Sequence, residues 1–310
     1  MNLANLDFMR LDPRYFKAFV AACEYENFSL AANHAAMTQS GISQHVSKLE
    51  EQLGVSLFMR SSKATVPTDA GKTLLNYIRT YNDSIAKLMD TMHKERNVVE
   101  GLVSYAMPPS CLLSPHFPML LERRREHPAL ELKVELLSNE QILPLVIDGK
   151  IDFGFVTEKV EHPLLNYQNF CDEEYILVGS DQDQLATLNM DNLLQRQFID
   201  YPGMGVYFNY WMQHFLPECS NISDRSLHHA GAMNSIEGAI HMVVGALGIS
   251  VFPRHCVQKH IDEGKLFVYE EAGKDALLNT IHIVSRNHPV PPTRVNTVIQ
   301  WFMDMHNKDH

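Results

Sequence analysis

A chain of 310 residues, 45% apolar and 20% charged, has globular composition and the length for two or three domains. It contains no apolar run of about eighteen residues, so nothing is expected to span a membrane. The formal charge of −11 argues against a nucleic-acid partner until it is divided: residues 1–97 hold 11 basic against 10 acidic side chains, and residues 98–310 hold 15 against 27. The first third is thus electrostatically distinct from an acidic remainder. The opening MNLANLDFMRLDPRYF lacks the basic-then-apolar order of a secretory signal. The 5 cysteines (Cys23, Cys111, Cys171, Cys219, Cys256) show no CxxC spacing or disulfide framework, so a reducing, cytoplasmic setting is expected.

Along the chain, Pro13 to Tyr25 reads as an amphipathic helix with Tyr15, Phe16, Phe19, Val20 and Cys23 in one stripe. Phe28 to Gly54 reads as two short helices joined near Ala36–Thr38, the first capped by Ser29 and the second ended by Gly54. Ile42, Val46, Leu49 and Leu53 fall on one face of the second helix. Its opposite face presents Ser40, Ser43, Gln44, Ser47 and Lys48, with His45 at the edge, polar groups suited to base edges in a major groove. The pattern fits a helix-turn-helix, and it equally fits a solvated helical hairpin in a larger bundle. VSLFMRSSKATVP (55–67) then reads as a small β-wing with Arg60 and Lys63 placed to meet phosphate, or as a plain connecting loop.

A helix from Thr68 follows, with Leu74, Ile78, Tyr81, Ile85, Leu88 and Met92 spaced as a heptad seam. A long helix with so narrow a stripe wants a partner, and a second copy of itself is the simplest one. The alternative is an ordinary helix lying on the next domain. Beyond Gly101 strands alternate with helices: strands at 102–107, 130–137, 152–157, 175–180, 197–201, 226–232, 248–253, 266–270 and 280–285, and helices near 112–126, 140–148, 191–195, 206–215 and 234–247. This is the βαβ pattern of a parallel sheet covered by helices, closed by a helix over 292–306.

The chain resembles LysR-type transcriptional regulators over nearly its whole length. The resemblance is carried by Phe16, Phe19, Phe28-Ser29, Ala31-Ala32, Thr38-Gln39-Ser40, Ser43, Leu49-Glu50, Leu53-Gly54, Leu57-Phe58, Arg60, Thr68 and Ala70-Gly71. HPALELKVE (127–135), GKIDFGFV (149–156) and GALGISVFPR (245–254) resemble the family's effector domain. The resemblance implies a multidomain α plus α/β protein. It would have an N-terminal winged helix-turn-helix (1–67), a linker and dimerisation helix (68–97) and a two-lobed α/β effector domain like periplasmic binding proteins (98–310). Lobe I would comprise 98–169 and 275–310, and lobe II 170–274. It further implies a homodimer or homotetramer that binds double-stranded DNA and a small-molecule effector, and that engages RNA polymerase if it activates. No cofactor, metal or enzymatic activity is implied. Gln39, Ser40, Ser43, Gln44, His45 and Lys48 would face DNA, with Arg60 and Lys63 on phosphate. Gly41 and His45 depart from the residues usual at their positions, which leaves base preference open.

In such an α/β domain, ligands sit at the carboxyl ends of strands, against helix N-termini. That rule selects Pro109, Ser110 and Cys111, then Thr157, Tyr201 and Gly203, then Asn234 and Ser235, with Phe252 nearby. These segments hold no Lys or Arg, which favours a weakly charged or partly apolar effector. Two rival signals within a regulator are a reactive Cys111 thiol at a helix N-terminus and a metal at His228-His229. Adjacent strand residues point to opposite faces, which weakens the second. Motifs of hydrolases, nucleotide-binding enzymes and metalloproteases (GxSxG, GxGxxG, P-loop, HExxH) are missing.

Overall fold

The computed structural model describes residues 11–25, 27–59, 65–92, 99–217, 226–271, 273–287 and 291–306. The chain divides into two compact units, Met1–Lys94 and Glu95–His310.

In the first unit, a single 3-10 turn at Pro13–Tyr15 leads into α1 (Phe16–Glu24). Helix α2 (Phe28–Ala35) is capped by Asn27, not Ser29: the Asn27 side chain accepts from the Leu30 amide at 2.9 Å. Asn27 is extended, as an N-cap must be, whereas Ser29 already lies inside the first turn. The turn is made by Ala36 in the left-handed region (φ 53°), closed by the Met37 amide on the Ala32 carbonyl at 2.9 Å. Thr38 then caps α3 (Gln39–Leu53) through the Gly41 amide at 3.1 Å, and Gly54 (φ 70°) ends it. Ala18, Ala22, Ala31 and Ala35 are buried and let these helices approach closely around Phe19, Ile42 and Leu49.

The wing's base is a short antiparallel pairing of Phe58 with Pro67, with the Met59 amide on the Val66 carbonyl at 2.8 Å. Arg60 and Lys63 lie outside the described residues. Helix α4 (Asp69–Met92) begins under this wing, and its heptad seam divides. Leu74 and Ile78 are buried in the head's own core, and Tyr81 packs edge-on against Phe16 at 5.7 Å. Leu74 and Ile78 therefore cannot serve a second copy. Ile85 (41%) and Leu88 (53%) are exposed, and the Met92 side chain lies outside the described residues.

The second unit carries a mixed sheet in the order β2-β1-β3-β9-β4-β7, with β8 also paired to β4. Strands β1 (Gly101–Met107), β2 (Leu130–Leu136) and β3 (Phe153–Val156) are parallel, as the alternation with α5 (His116–Arg125) and α6 (Asn139–Ile147) requires. The expected strand over 175–180 is the end of a longer one, β4 (Leu165–Gly179), antiparallel to β9 (Leu278–Arg286) with a bulge between Asn169 and Cys171. Its first half was hidden because NYQNFCDEE is polar, as befits a ribbon half-open to solvent. This two-stranded ribbon links two cores. One gathers Tyr105, Phe153, Phe155, Phe170 and Phe302, the last from α12 (Thr293–His306). The other gathers Tyr175, Phe198, Phe208, Trp211 and Phe252.

The second core is built by short α7 (Gln182–Ala186) and α8 (Met190–Leu193), β5 (Gln197–Asp200), α9 (Met204–Phe215) and β6 (His228–Ala232). It is completed by α10 (Ile236–Val244), β7 (Ser250–Pro253), α11 (Arg254–Asp262) and β8 (Phe267–Val268). β5 and β6 pair in parallel, while β7 and β8 run antiparallel to β4. Helix α11 was not expected; its apolar content is low, and Val257 is its buried anchor. No described helix is long and apolar enough to cross a membrane.

Candidate functional sites: a recognition face and a two-core ligand unit

On α3 the residues opposite the core are open. Gln39, Ser40, Ser43, Gln44, Ser47 and Lys48 are all exposed on one side of a helix held on its other side by Ile42, Val46 and Leu49. Lys48 is paired with Glu51 one turn on at 2.7 Å, and both are exposed, so contact with phosphate must draw Lys48 from that partner. His45 differs from its neighbours. Its ring lies half-buried on Tyr15 at 4.9 Å, and its Nδ1 is buried with no hydrogen-bond partner among the described residues. It therefore packs into the head rather than reaching outwards.

Several residues of the family signature turn out to hold the wing to this frame. The Glu50 carboxylate accepts from the Leu57 amide at 2.7 Å, tying the wing's first strand to α3. The Thr68 amide donates to the Leu57 carbonyl at 2.9 Å, and its hydroxyl donates to the Ser56 carbonyl at 2.8 Å. That hydroxyl also accepts from the Gly71 amide at 3.1 Å, capping α4. A Cβ on Gly71 would stand 2.3 Å from the Leu57 carbonyl oxygen, so only glycine lets α4 come so near the wing.

In the second unit the expected cleft residues scatter into different roles. Tyr201 is buried, donates to the Val251 carbonyl at 2.6 Å and stacks on buried Phe252 at 4.9 Å, so both belong to a core. Thr157 is buried, its hydroxyl and amide both joined to the Asn139 side chain. Ser235 caps α10, Asn234 is exposed beside Tyr201 in a shallow depression, and Gly203 (φ 100°) begins α9. Pro109, Ser110 and Cys111 form a 3-10 turn after β1. The two cores are joined across this side by direct hydrogen bonds. The His255 Nε2–H donates to the Ser110 carbonyl at 2.9 Å, and the Tyr210 hydroxyl donates to Glu158 Oε1 at 2.6 Å. Arg254 is held by the Glu174 carboxylate and is not directed at the cleft residues.

A partly open pocket of about 250 Å³ lies beside this junction. Phe155, Phe170, Ile281 and Phe302 form its apolar wall, and Cys111, Glu173 and His255 lie at its polar end. The sequence rule found only Cys111 of these. Glu173 sits in the middle of β4, away from any strand end; the one available signal was a run of acidic residues, 172–174, inside an otherwise alternating strand. Its side chain is 4% exposed, and its Oε2 has no hydrogen-bond partner among the described residues. Burial pushes the Glu173 carboxyl up to about 7, offset in part by the Tyr175 hydroxyl. His255, held in the Nε2–H tautomer by the Ser110 carbonyl, turns its Nδ1 lone pair to Glu173 Oε1 at 3.5 Å. Burial lowers the His255 pKa, so the pair favours its uncharged forms.

A pH dependence follows. Unfolded Glu173 ionises near its ordinary 4.5, while the folded chain keeps the proton to about 7. Between these values the folded state binds more protons, so this group's contribution to stability is lost as pH rises through about 7. The full effect is on the order of 3 kcal/mol. His255 works in the opposite sense below its ordinary 6.5, so the difference between parent and Glu173→Gln isolates the carboxyl. Urea midpoints at pH 5 and pH 8 are expected to separate further for the parent than for Glu173→Gln; equal separations would show that Glu173 ionises normally.

The thiols do not suit a thiolate sensor. Burial raises Cys111 and Cys256 well above the ordinary range and Cys171 to about 12, and the negative charge of nearby Glu173 raises all three further. The rival reading of a thiol activated at a helix N-terminus is not favoured at Cys111, where the turn is 3-10 and burial raises the thiol. His228 and His229 lie exposed on β6, and no metal-holding group of three His, Cys, Asp or Glu occurs among the described residues.

Comparison with known proteins accords with this architecture. Residues 13–72 match the model of the bacterial regulatory helix-turn-helix protein, lysR family, and residues 96–306 that of the LysR substrate binding domain. An uncharacterized HTH-type transcriptional regulator, YxjO of Bacillus subtilis, is 26% identical over 265 residues, covering 83% of this chain and 85% of its own. The crystal structure of ArgP from Mycobacterium tuberculosis shares the fold with a TM-score of 0.69 at 17% identity, over 94% of this chain and 97% of its own. Full-length CbnR complexed with its target DNA shares it with a TM-score of 0.59 at 19% identity, over 97% of this chain and 100% of its own. With both family models matched in order, a helix-turn-helix carrying an open polar recognition face and an α/β ligand unit behind it, the chain belongs to the LysR family of transcriptional regulators.

Proposed function

We propose that this regulator binds a specific double-stranded DNA site as a homodimer or homotetramer, and that a small molecule held in its second unit modulates that binding. The observation that carries the reading is the open face of α3, where serines and glutamines stand clear of the core on a winged frame. In this reading Ser40, Ser43 and Gln44 read base edges, Gln39 and Lys48 flank them, and Arg60 and Lys63 add phosphate contacts. His45 orients the helix against Tyr15. A dimer places two such helices on half-sites about 34 Å apart or multiples of it, so a change in how the ligand units pair alters register or bending. The protein works in the cytoplasm, and as an activator it would contact RNA polymerase.

The test is an electrophoretic shift with DNA from upstream of the chain's own gene. Gln44→Ala is expected to weaken specific binding by about 5- to 150-fold, the equivalent of about 1–3 kcal/mol for one bidentate base contact. Non-specific binding should hardly change, because the residue carries no charge. If specific binding equals that of the parent, Gln44 does not read a base.

A further inference from the structure

The pocket beside Glu173 in the second unit has a chemical character that narrows its ligand. Three phenylalanine rings meet on its wall: Phe155 lies 4.9 Å from Phe302 and 5.3 Å from Phe170, and Phe170 lies 6.0 Å from Phe302. A dry apolar cavity of ~150 Å³ holds a benzene ring, so the 250 Å³ here admits a ring with a short substituent. At its polar end the lining includes the buried Glu173 carboxyl, and no Lys or Arg among the described residues; its strand neighbour Asp172 is exposed and points to the other face. The Asp172 carboxylate accepts from the Thr280 hydroxyl at 2.7 Å. Glu173 keeps one buried oxygen unsatisfied, which in a folded interior is a costly state unless a donor arrives.

We propose that this cavity binds a small primary ammonium compound with a single-ring aromatic or compact aliphatic body, its cationic head on Glu173 and its body against Phe155, Phe170 and Phe302. The cation satisfies Oε2 and supplies the countercharge that burial denies this carboxyl. The ring faces add attraction for the adjacent positive charge. An anionic ligand would bring no countercharge to Glu173 and would be repelled once that carboxyl ionises. The location suits a regulatory ligand: Glu173 is on the ribbon strand β4, and His255, at the start of α11, belongs with the second core. A head group on Glu173 therefore bears on the contact that joins the cores. This inference rests on the reading of the second unit as a ligand sensor.

Binding is coupled to protons. The titratable groups around Glu173 are Cys171, Asp172 and Tyr175 on β4, Cys111 in the turn after β1, His116 on α5, Tyr201 after β5, Tyr207 on α9, His255 and Cys256 on α11 and His306 on α12. None is a Lys or Arg, so the arriving ammonium is the cation that ionises Glu173. The carboxyl, uncharged below about 7, then releases its proton to solvent.

The experiment uses the full chain and calorimetric titration with benzylamine, phenethylamine and cyclohexylmethylamine, with benzoate as the anionic control. At pH 6.5, titrations in two buffers of different ionisation enthalpy are expected to show release of most of one proton per amine bound. At pH 8.5 the release should vanish. Glu173→Gln should weaken the amines at least tenfold and abolish the release, and benzoate should not compete. The parent's proton release needs no variant, so the test stands even if Glu173→Gln fails to fold. If none of the amines binds, if they bind without proton release, or if benzoate binds more tightly, the assignment is overturned. DNA binding by the same preparation, measured without amine, is a separate readout. A chain that shifts DNA but binds no amine loses this inference and keeps the regulator reading; a chain that fails to bind DNA loses the reading itself.

Discussion

Gly71→Ala is expected to weaken specific DNA binding at least tenfold, although the residue is buried. The added Cβ would stand 2.3 Å from the Leu57 carbonyl oxygen and 3.1 Å from the Pro67 Cβ. Neither atom is the end of a flexible side chain. The Leu57 carbonyl is fixed by the Thr68 amide at 2.9 Å, and Pro67 is bridged to Phe58. Relief must come from lifting α4 away or from shifting the wing, and overpacking of this kind costs roughly 1–3 kcal/mol. Since the wing and α3 are joined through Glu50, the displacement is felt on the recognition face. Fluorescence anisotropy on a specific duplex should show a loss of at least tenfold, with far-UV circular dichroism still helical. Binding within twofold of the parent would mean that the wing's placement does not matter.

The second large effect concerns α4. Ile85 and Leu88 are one turn apart and exposed, an apolar pair on the half of the helix that the head does not cover. The double variant Ile85→Glu, Leu88→Glu is expected to sediment as a monomer and to lose DNA affinity by at least a hundredfold, because two half-sites are no longer engaged together. Ile78→Ala should behave differently. It leaves a cavity in the head's own core and costs about 2–5 kcal/mol of stability, so it unfolds the head instead of dividing the dimer. If the double variant remains an oligomer by analytical ultracentrifugation, the exposed half of α4 is not the seam.

The head was legible residue by residue because its signals are local. A capping Thr38, a stripe at Ile42, Val46 and Leu49, and a terminating Gly54 each act within a turn or two of the helix they define. The misassigned cap on α2 is the same lesson at one residue's resolution. Asn27 and Ser29 are both good N-cap residues, and backbone conformation decides between them. The heptad on α4 was real as a pattern, yet a pattern does not say what covers it. Leu74 and Ile78 were taken by the head, with Tyr81 packed beside them, while Ile85 and Leu88 were left exposed.

The candidate ligand site was much less legible. The rule of strand ends and helix starts led to Tyr201, Thr157 and Phe252, whose hydrogen bonds and packing are internal. Glu173 escaped it, because the rule looks to loops and this carboxyl sits within a strand.

The resemblance to LysR-type regulators decided between a winged helix-turn-helix and a helical hairpin; the residues by themselves determined a helix pair with one polar face on α3 and an α/β pattern after it. Those properties follow from periodicity, caps and composition, which act over neighbouring residues. Tertiary structure alone decided which half of α4 stays exposed, why position 71 must be glycine, and that Glu173 is enclosed beside His255 with an oxygen unsatisfied. Each depends on atoms brought together from distant parts of the chain, as His255 meets Glu173 from 82 positions further along the sequence. Burial and steric contact between such groups carry no local sequence signal, and they set the chemistry of the site.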